Sequence, residues 1–127
     1  MDIDDAHPAA SMRTHTVTCG TSSFKVLTEV FADRVLVVVT PSGRVGCWLL
    51  GTTLAVESGR PTYDVRPLLG YRQDDAWIGT VARQLLEDMR RKNCLKSLLL
   101  GITIGAECQN SDNVRHLVRE LSGLGAW

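Results

Sequence analysis

Few residues in this 127-residue chain are of a type that could do chemistry, and their spacing brings none of them into a recognisable reaction centre. Ser42 follows Pro41 and precedes Gly43. Pro fixes φ for a turn and Gly accepts positive φ, so the serine reads as a turn former rather than a nucleophile. No G-x-S-x-G elbow, no G-x-G-x-x-G and no G-K-[ST] loop occurs. The four cysteines, Cys19, Cys47, Cys94 and Cys108, are widely spaced and form no C-x-x-C pair. They read as small core hydrophobes in a reducing compartment, cytosol or nucleus. His7, His15 and His116 are scattered, with His15 expected at an exposed strand start and His116 on the solvent side of a helix. A metal site needs clustered ligands. Cys108 with Glu107 and His116 is the only loose grouping, and no metal or other cofactor is expected.

The charged motifs also favour plain structural readings. Asp74-Asp75 and Glu87-Asp88 are adjacent pairs, and neighbours on a helix point in different directions, so neither is preset for acid–base work. Arg90-Arg91-Lys92, with Lys96, complements the negative end of a helix. Trp48, Trp77 and Trp127 are dispersed and make no stacking platform for bases. Trp48 remains open between a core anchor and an interface anchor, since tryptophan suits both.

The elements that would position these residues follow from periodicity. The chain is one domain by length, long enough to bury roughly 65–70% of its unfolded surface. Apolar content is 44%, charged content is 22%, and the 14 basic and 14 acidic residues cancel. That balance argues against a nucleic-acid binder. No apolar run approaches the ~20 residues that span a bilayer, and the acidic start "MDIDDAHPAAS" is not a secretory signal. Residues 1–13 read as a disordered tail, ahead of a single domain over 14–127.

From Thr14 the pattern alternates. "THTVTC" and "FKVLTEVFA" read as strands, the second with Val26, Thr28 and Val30 on one side and Lys25, Leu27 and Glu29 on the other. "VLVVVT" is continuously apolar and β-branched, which predicts a strand buried on both faces. Pro41-Ser42-Gly43 then predicts a hairpin into "RVGCWLLG". Residues 51–61 are expected to form a loop with at most a short strand, and "TYDVRPLLG" a fifth strand whose Pro67 marks an edge position or a strand end.

Helical spacing begins after "YRQDD". Ile78, Val81, Ala82, Leu85, Leu86 and Met89 make one stripe, capped by Asp74 or Asp75 and closed by Asn93. Gly79 costs this helix about 1 kcal/mol against alanine and suggests a close approach to the sheet. "SLLLGITIG" reads as a sixth strand. Val114, Leu117, Val118 and Leu121 define a last helix, capped by Ser111 or Asp112 and stopped by Gly123 and Gly125. The fold class expected is α+β: an antiparallel meander of about five strands, then helix–strand–helix, with the helices packed on the sheet.

"RVLVVVTPSGRVGCWL", "PLLGYRQDD" leading into the amphipathic helix, "SLLLGITIG" and a final helix ending at Trp127 together resemble the proteasome assembly chaperone 3 family. The resemblance runs from about Thr14 to Trp127, apart from the 51–61 segment. It implies a non-catalytic chaperone without cofactors. Such a chaperone dimerises with itself or with a chaperone 4-like partner, holds proteasome α subunits while the α ring forms, and leaves before the 20S particle is complete. Members of a different pair end in a hydrophobic-Tyr-any tail, which Gly125-Ala126-Trp127 does not reproduce. The contact residues proposed from sequence are Glu57 and Arg60 in the 51–61 segment, together with Trp48.

Two other readings compete. A roadblock- or longin-like adaptor in trafficking or signalling is also small and lacks chemistry, but such proteins bring a helix in earlier than this chain does. An enzyme using Cys108 or Ser42 would need a reactive, accessible nucleophile, and a thiol of that kind would have to sit in an electropositive site.

Overall fold

The computed structural model describes residues 12–19, 22–57, 59–72, 76–105 and 108–127, and at positions 19 and 55–57 the backbone alone. Eight elements follow in chain order: β1 (Arg13–Cys19), β2 (Ser22–Val30), β3 (Arg34–Thr40), β4 (Cys47–Glu57), β5 (Arg60–Leu69), α1 (Ala76–Arg91), β6 (Ser97–Ile102) and α2 (Ser111–Ser122). The order of strands and helices is the one their periodicity predicts. The sheet topology is not a simple meander.

All six strands form one sheet in the order β1-β2-β3-β6-β4-β5. β6 runs parallel to β3 and antiparallel to β4, with Val37 opposite Leu100 and Leu49 opposite Leu100 on the two sides. The expected hairpin across Pro41-Ser42-Gly43 is therefore corrected, because β3 and β4 never pair. The connection has the length of a hairpin loop but steps over the end of β6. The Thr40 hydroxyl organises it, donating to the Arg44 carbonyl oxygen at 2.6 Å and accepting from the amides of Ser42 and Gly43. The Gly46 amide then donates to the Thr103 hydroxyl at 2.6 Å, fastening the connection to the end of β6. Two continuously apolar runs, "VLVVV" and "LLL", are what a parallel central pair needs.

The 51–61 segment is also corrected. It is not a loop: β4 extends to Glu57 and β5 begins at Arg60, with those two residues paired at the tip of a long antiparallel arm. The alternation that would have marked it is interrupted by a register shift between Thr53 and Val56. β5 lies at the sheet's edge, where its two prolines cost no ladder bonds to a further strand. Gly70 ends it at φ +74, and a Cβ there would lie 1.8 Å from the Gly46 carbonyl oxygen, so only glycine fits.

Both helices pack on one face of the sheet. The α1 stripe (Ile78, Val81, Ala82, Leu85, Leu86, Met89) is fully buried, as its spacing requires. With it α1 packs against β4, β5 and β6, while α2 packs against α1 and β1. Val17, Phe24, Val35, Val37, Val39, Leu49, Leu98, Leu100, Ile102, Leu117 and Leu121 join the stripe in one buried cluster. Asn93 terminates the α1 turn in the left-handed region at φ 63. Gly79 does not approach the sheet; the nearest atom to a Cβ there would be Arg83 Nη1 at 3.9 Å. The cap of α2 is Asn110, whose side-chain oxygen accepts from the Asn113 amide, rather than Ser111 or Asp112. Asp74 and Asp75, expected to cap α1, lie outside the described residues, as do residues 1–11.

Candidate partner-binding face

Successive strand residues alternate between the two faces of a sheet, and here the faces are unequal. The residues that alternate with the core set are Leu27, Leu36, Val38, Leu99, Trp48 and Leu50, and they point away from both helices. Each is only half-buried. β3 was expected to be buried on both faces, and that is corrected: Val35, Val37 and Val39 are covered, whereas Leu36 and Val38 are not. Leu69, opposite Trp48 across the β4–β5 ladder, is 68% exposed. These residues make up the apolar part of the face opposite the helices.

Trp48 lies on this face, half-buried. Trp48 pairs with Gly101 across β4 and β6, and a Cβ on Gly101 would meet three carbons of the indole at 2.7–2.9 Å. The ring therefore lies flat over the glycine. It covers the β6 backbone and presents its other side outward.

Along the strands the same face carries charge. Lys25 and Glu29 flank Leu27 on β2, and Arg66 pairs with Asp64 on β5 at 3.1 Å. Between β1, β2 and β3 the face sinks into a hollow of about 570 Å³, lined by Thr14, Thr16, Lys25, Leu27, Val38 and Thr40.

Several other polar groups are tied into structure. The Tyr63 hydroxyl donates to Glu87, and Arg90 reaches both, at 3.2 Å to the Tyr63 oxygen and 2.9 Å to Glu87. The Tyr63 hydroxyl and the Arg90 guanidinium hold the Glu87 carboxyl below the usual carboxylate range. Burial, and then the bond to Glu87, push the Tyr63 phenol up. This cluster pins β5 to α1. Lys92 bonds Asp88 at 3.0 Å and the Ser122 carbonyl oxygen at 2.8 Å, while Trp127 Nε1 donates to Asp88 at 2.8 Å, fixing the chain end onto α1. Lys96 donates to the Phe31 carbonyl oxygen at 2.7 Å. The basic cluster seen in the sequence is thus consumed within the fold.

Cys47 and Cys108 are buried and Cys94 is half-buried. No group of three metal-binding side chains occurs among the described residues. Glu107 lies outside them. His15 is half-buried rather than exposed, and His116, also half-buried, donates from Nε2 to the Thr18 carbonyl oxygen at 3.1 Å. Arg60 is exposed at the arm's tip, and the side chain of Glu57 lies outside the described residues. The tip and Trp48 are at different places, so the three sequence-proposed contacts do not converge. The six apolar residues of the open face were missed as a set. Their signal was the second half of each alternation: the continuous apolarity of β3 predicts burial on both faces and hid Leu36 and Val38, while Leu27 and Trp48 carry no core assignment. No helix of the described chain is long and apolar enough to cross a membrane.

Comparison with known proteins fits this architecture. A search of curated proteins found no match. Among solved structures the chain is similar to one described as "Crystal Structure of a Novel Chaperone Complex for Yeast 20S Proteasome Assembly", with a TM-score of 0.68 at 14% identity, covering 88% of this chain and 95% of that one. That likeness establishes the fold. The sequence profile of the family described as "Proteasome assembly chaperone 3" matches residues 37–123, which run from the middle of β3 to the end of α2. With well over half of its length matched, the chain belongs to the proteasome assembly chaperone 3 family.

Proposed function

We propose that this protein is a non-catalytic chaperone that binds proteasome α subunits and promotes formation of the 20S α ring, working as a dimer in the cytoplasm or nucleus. The observation that carries the reading is the helix-free apolar face around Trp48, in a chain of a chaperone family. A face of half-buried apolar groups with charged residues at its margins has the anatomy of a protein interface. Dimerisation through it, with a second copy or with a chaperone 4-like relative, leaves the helical side and the β4–β5 arm free for an α subunit. Arg60 and Glu57 at the arm's tip are the contacts assigned to that subunit, and Trp48 is assigned to the dimer.

The test is reconstitution. Purified protein is mixed with individual α subunits, and both complex formation and the rate of ring assembly are measured. Capture of at least one α subunit and faster ring formation are expected. Failure of both removes the reading. The arm is tested in the same assay. Glu57→Arg with Arg60→Glu should leave the melting temperature unchanged and weaken capture by about three- to tenfold, the scale of rim charges at an interface. Unchanged capture would release the arm from this role.

A further inference from the structure

The two helices run in the same direction, because α1 leads into β6 and α2 follows it. Their starts meet at one end of the sheet. There Trp77, Thr80 and Gln84 of α1 face Ser111, Val114 and Arg115 of α2 across a hollow of about 320 Å³. Their ends meet at the other, where Lys92 donates to the Ser122 carbonyl oxygen at 2.8 Å. One seam therefore runs between the helices. The i, i+4 row Thr80, Gln84, Asp88, Lys92 borders it on the α1 side. The first half of the seam stands open. The second half is filled by the segment that follows α2.

That segment is held at a single point. The Gly123 and Leu124 amides still bond back into α2, to the carbonyl oxygens of Arg119 and Leu121. Past Leu124, among the described residues, no backbone hydrogen bond holds it. The chain reverses at Gly125, where φ is +71. Trp127 then returns onto α1. Its Nε1 donates to Asp88 at 2.8 Å, and the Lys92 ammonium lies 5.7 Å from the ring centroid. Lys92 also holds Asp88, at 3.0 Å. Leu124 and Trp127 are partly buried against the core. The family profile ends at residue 123, so these contacts lie outside the matched region.

We propose that Leu124–Trp127 is a strap that closes the second half of the α1–α2 seam and opens about Gly125 while the rest of the fold stays intact. A segment held by side chains alone opens at far lower cost than the domain unfolds. Opening withdraws the indole from Asp88 and Lys92. The vacated half then joins the hollow, and one groove runs along the helical side from Trp77 to Lys92. The strap belongs to that side and is independent of the chaperone reading. Gly125 allows it to be moved without touching its contacts. A Cβ there would meet nothing within 4 Å, yet the positive φ is one that β-branched residues avoid and asparagine tolerates.

Hydrogen exchange of the three indole N–H groups, followed by NMR in the full chain, tests this. Trp127→Phe assigns the relevant signal. The wild-type Trp127 Nε1–H is expected to be protected about tenfold or more against free tryptophan. Its rate should not respond to low urea, whereas the amide of Leu85, buried in α1, should exchange faster as urea is added. Gly125→Val should speed Trp127 exchange about tenfold and leave Leu85 unchanged. Gly125→Asn should stay within about threefold of wild type. An unprotected Trp127 N–H would show that the strap is not closed. Exchange of Trp127 in step with Leu85 would show that it does not open separately. Equal rates in the Val and Asn variants would show that Gly125 is not the hinge. Each of these results overturns the proposal.

Discussion

The two faces of the sheet are built from the same strands and nearly the same residue types. Along β3, Val35, Val37 and Val39 lie under the helices with no exposure, while Leu36 and Val38 between them are only half-buried. Along β6, Leu98 and Leu100 are fully covered, and Leu99 between them is not. The covered face closes a core with α1 and α2, and its burial holds the fold. The other face is also apolar, with no covering layer among the described residues. The difference teaches that a β-strand apolar on both sides states a need for two covers and does not say that one chain supplies both.

Truncations sharpen this contrast most. Leu85→Ala or Leu100→Ala removes a fully covered side chain and should cost about 2–5 kcal/mol in urea unfolding. Leu50→Ala on the open face should cost less, about 1–2 kcal/mol when measured at a concentration where the protein is monomeric, because Leu50 is only half-buried in the single chain. Equal losses at the two sites would break the comparison.

A smaller effect is expected at the margin of the covered face, where Tyr63 joins the edge strand β5 to Glu87 and Arg90 of α1. Tyr63→Phe removes one partly solvated hydroxyl shared by two charged groups and should cost about 1 kcal/mol at neutral pH. The pH dependence has a definite sign. The Glu87 carboxyl is held down in the folded protein, so its contribution is complete above its unfolded value of 4.5 and disappears as pH falls through the lower folded value. The Tyr63 phenol is held up, so its contribution is complete below 10.0 and is lost as pH rises through the folded value. Thermal melts of wild type and Tyr63→Phe across pH should therefore converge towards both the acid and the alkaline end. A constant difference at every pH would show that the hydroxyl is not coupled to Glu87.

Much of the fold was legible because local physics decided it. The α1 stripe and the alternation of β2 specify their own faces, and Pro67 correctly marked an edge strand. What was illegible depended on non-local partners. Nothing in Pro41-Ser42-Gly43 distinguishes a turn that pairs its flanking strands from one that spans an intervening strand contributed about sixty residues later. The β4–β5 arm was hidden by a register shift, which scrambles the period-two signal over Thr53–Val56. The open face was hidden for a related reason. Leu36, Val38 and Leu99 look like core residues in sequence, and only the placement of both helices on the opposite side shows that no described element covers them. The seat of the Trp48 ring on Gly101 was equally hidden, since that glycine lies about fifty residues away.

The central claim is that one face holds the fold and the other holds a partner. Leu36→Glu tests it most directly, in a single sedimentation-velocity run on a sample whose thermal melt is recorded in parallel. The account predicts that this variant sediments as a monomer under conditions where the wild type is larger, with a melting temperature close to that of the monomeric wild type. An unchanged sedimentation coefficient, or a collapse of the melt like that expected of Leu100→Ala, would contradict it.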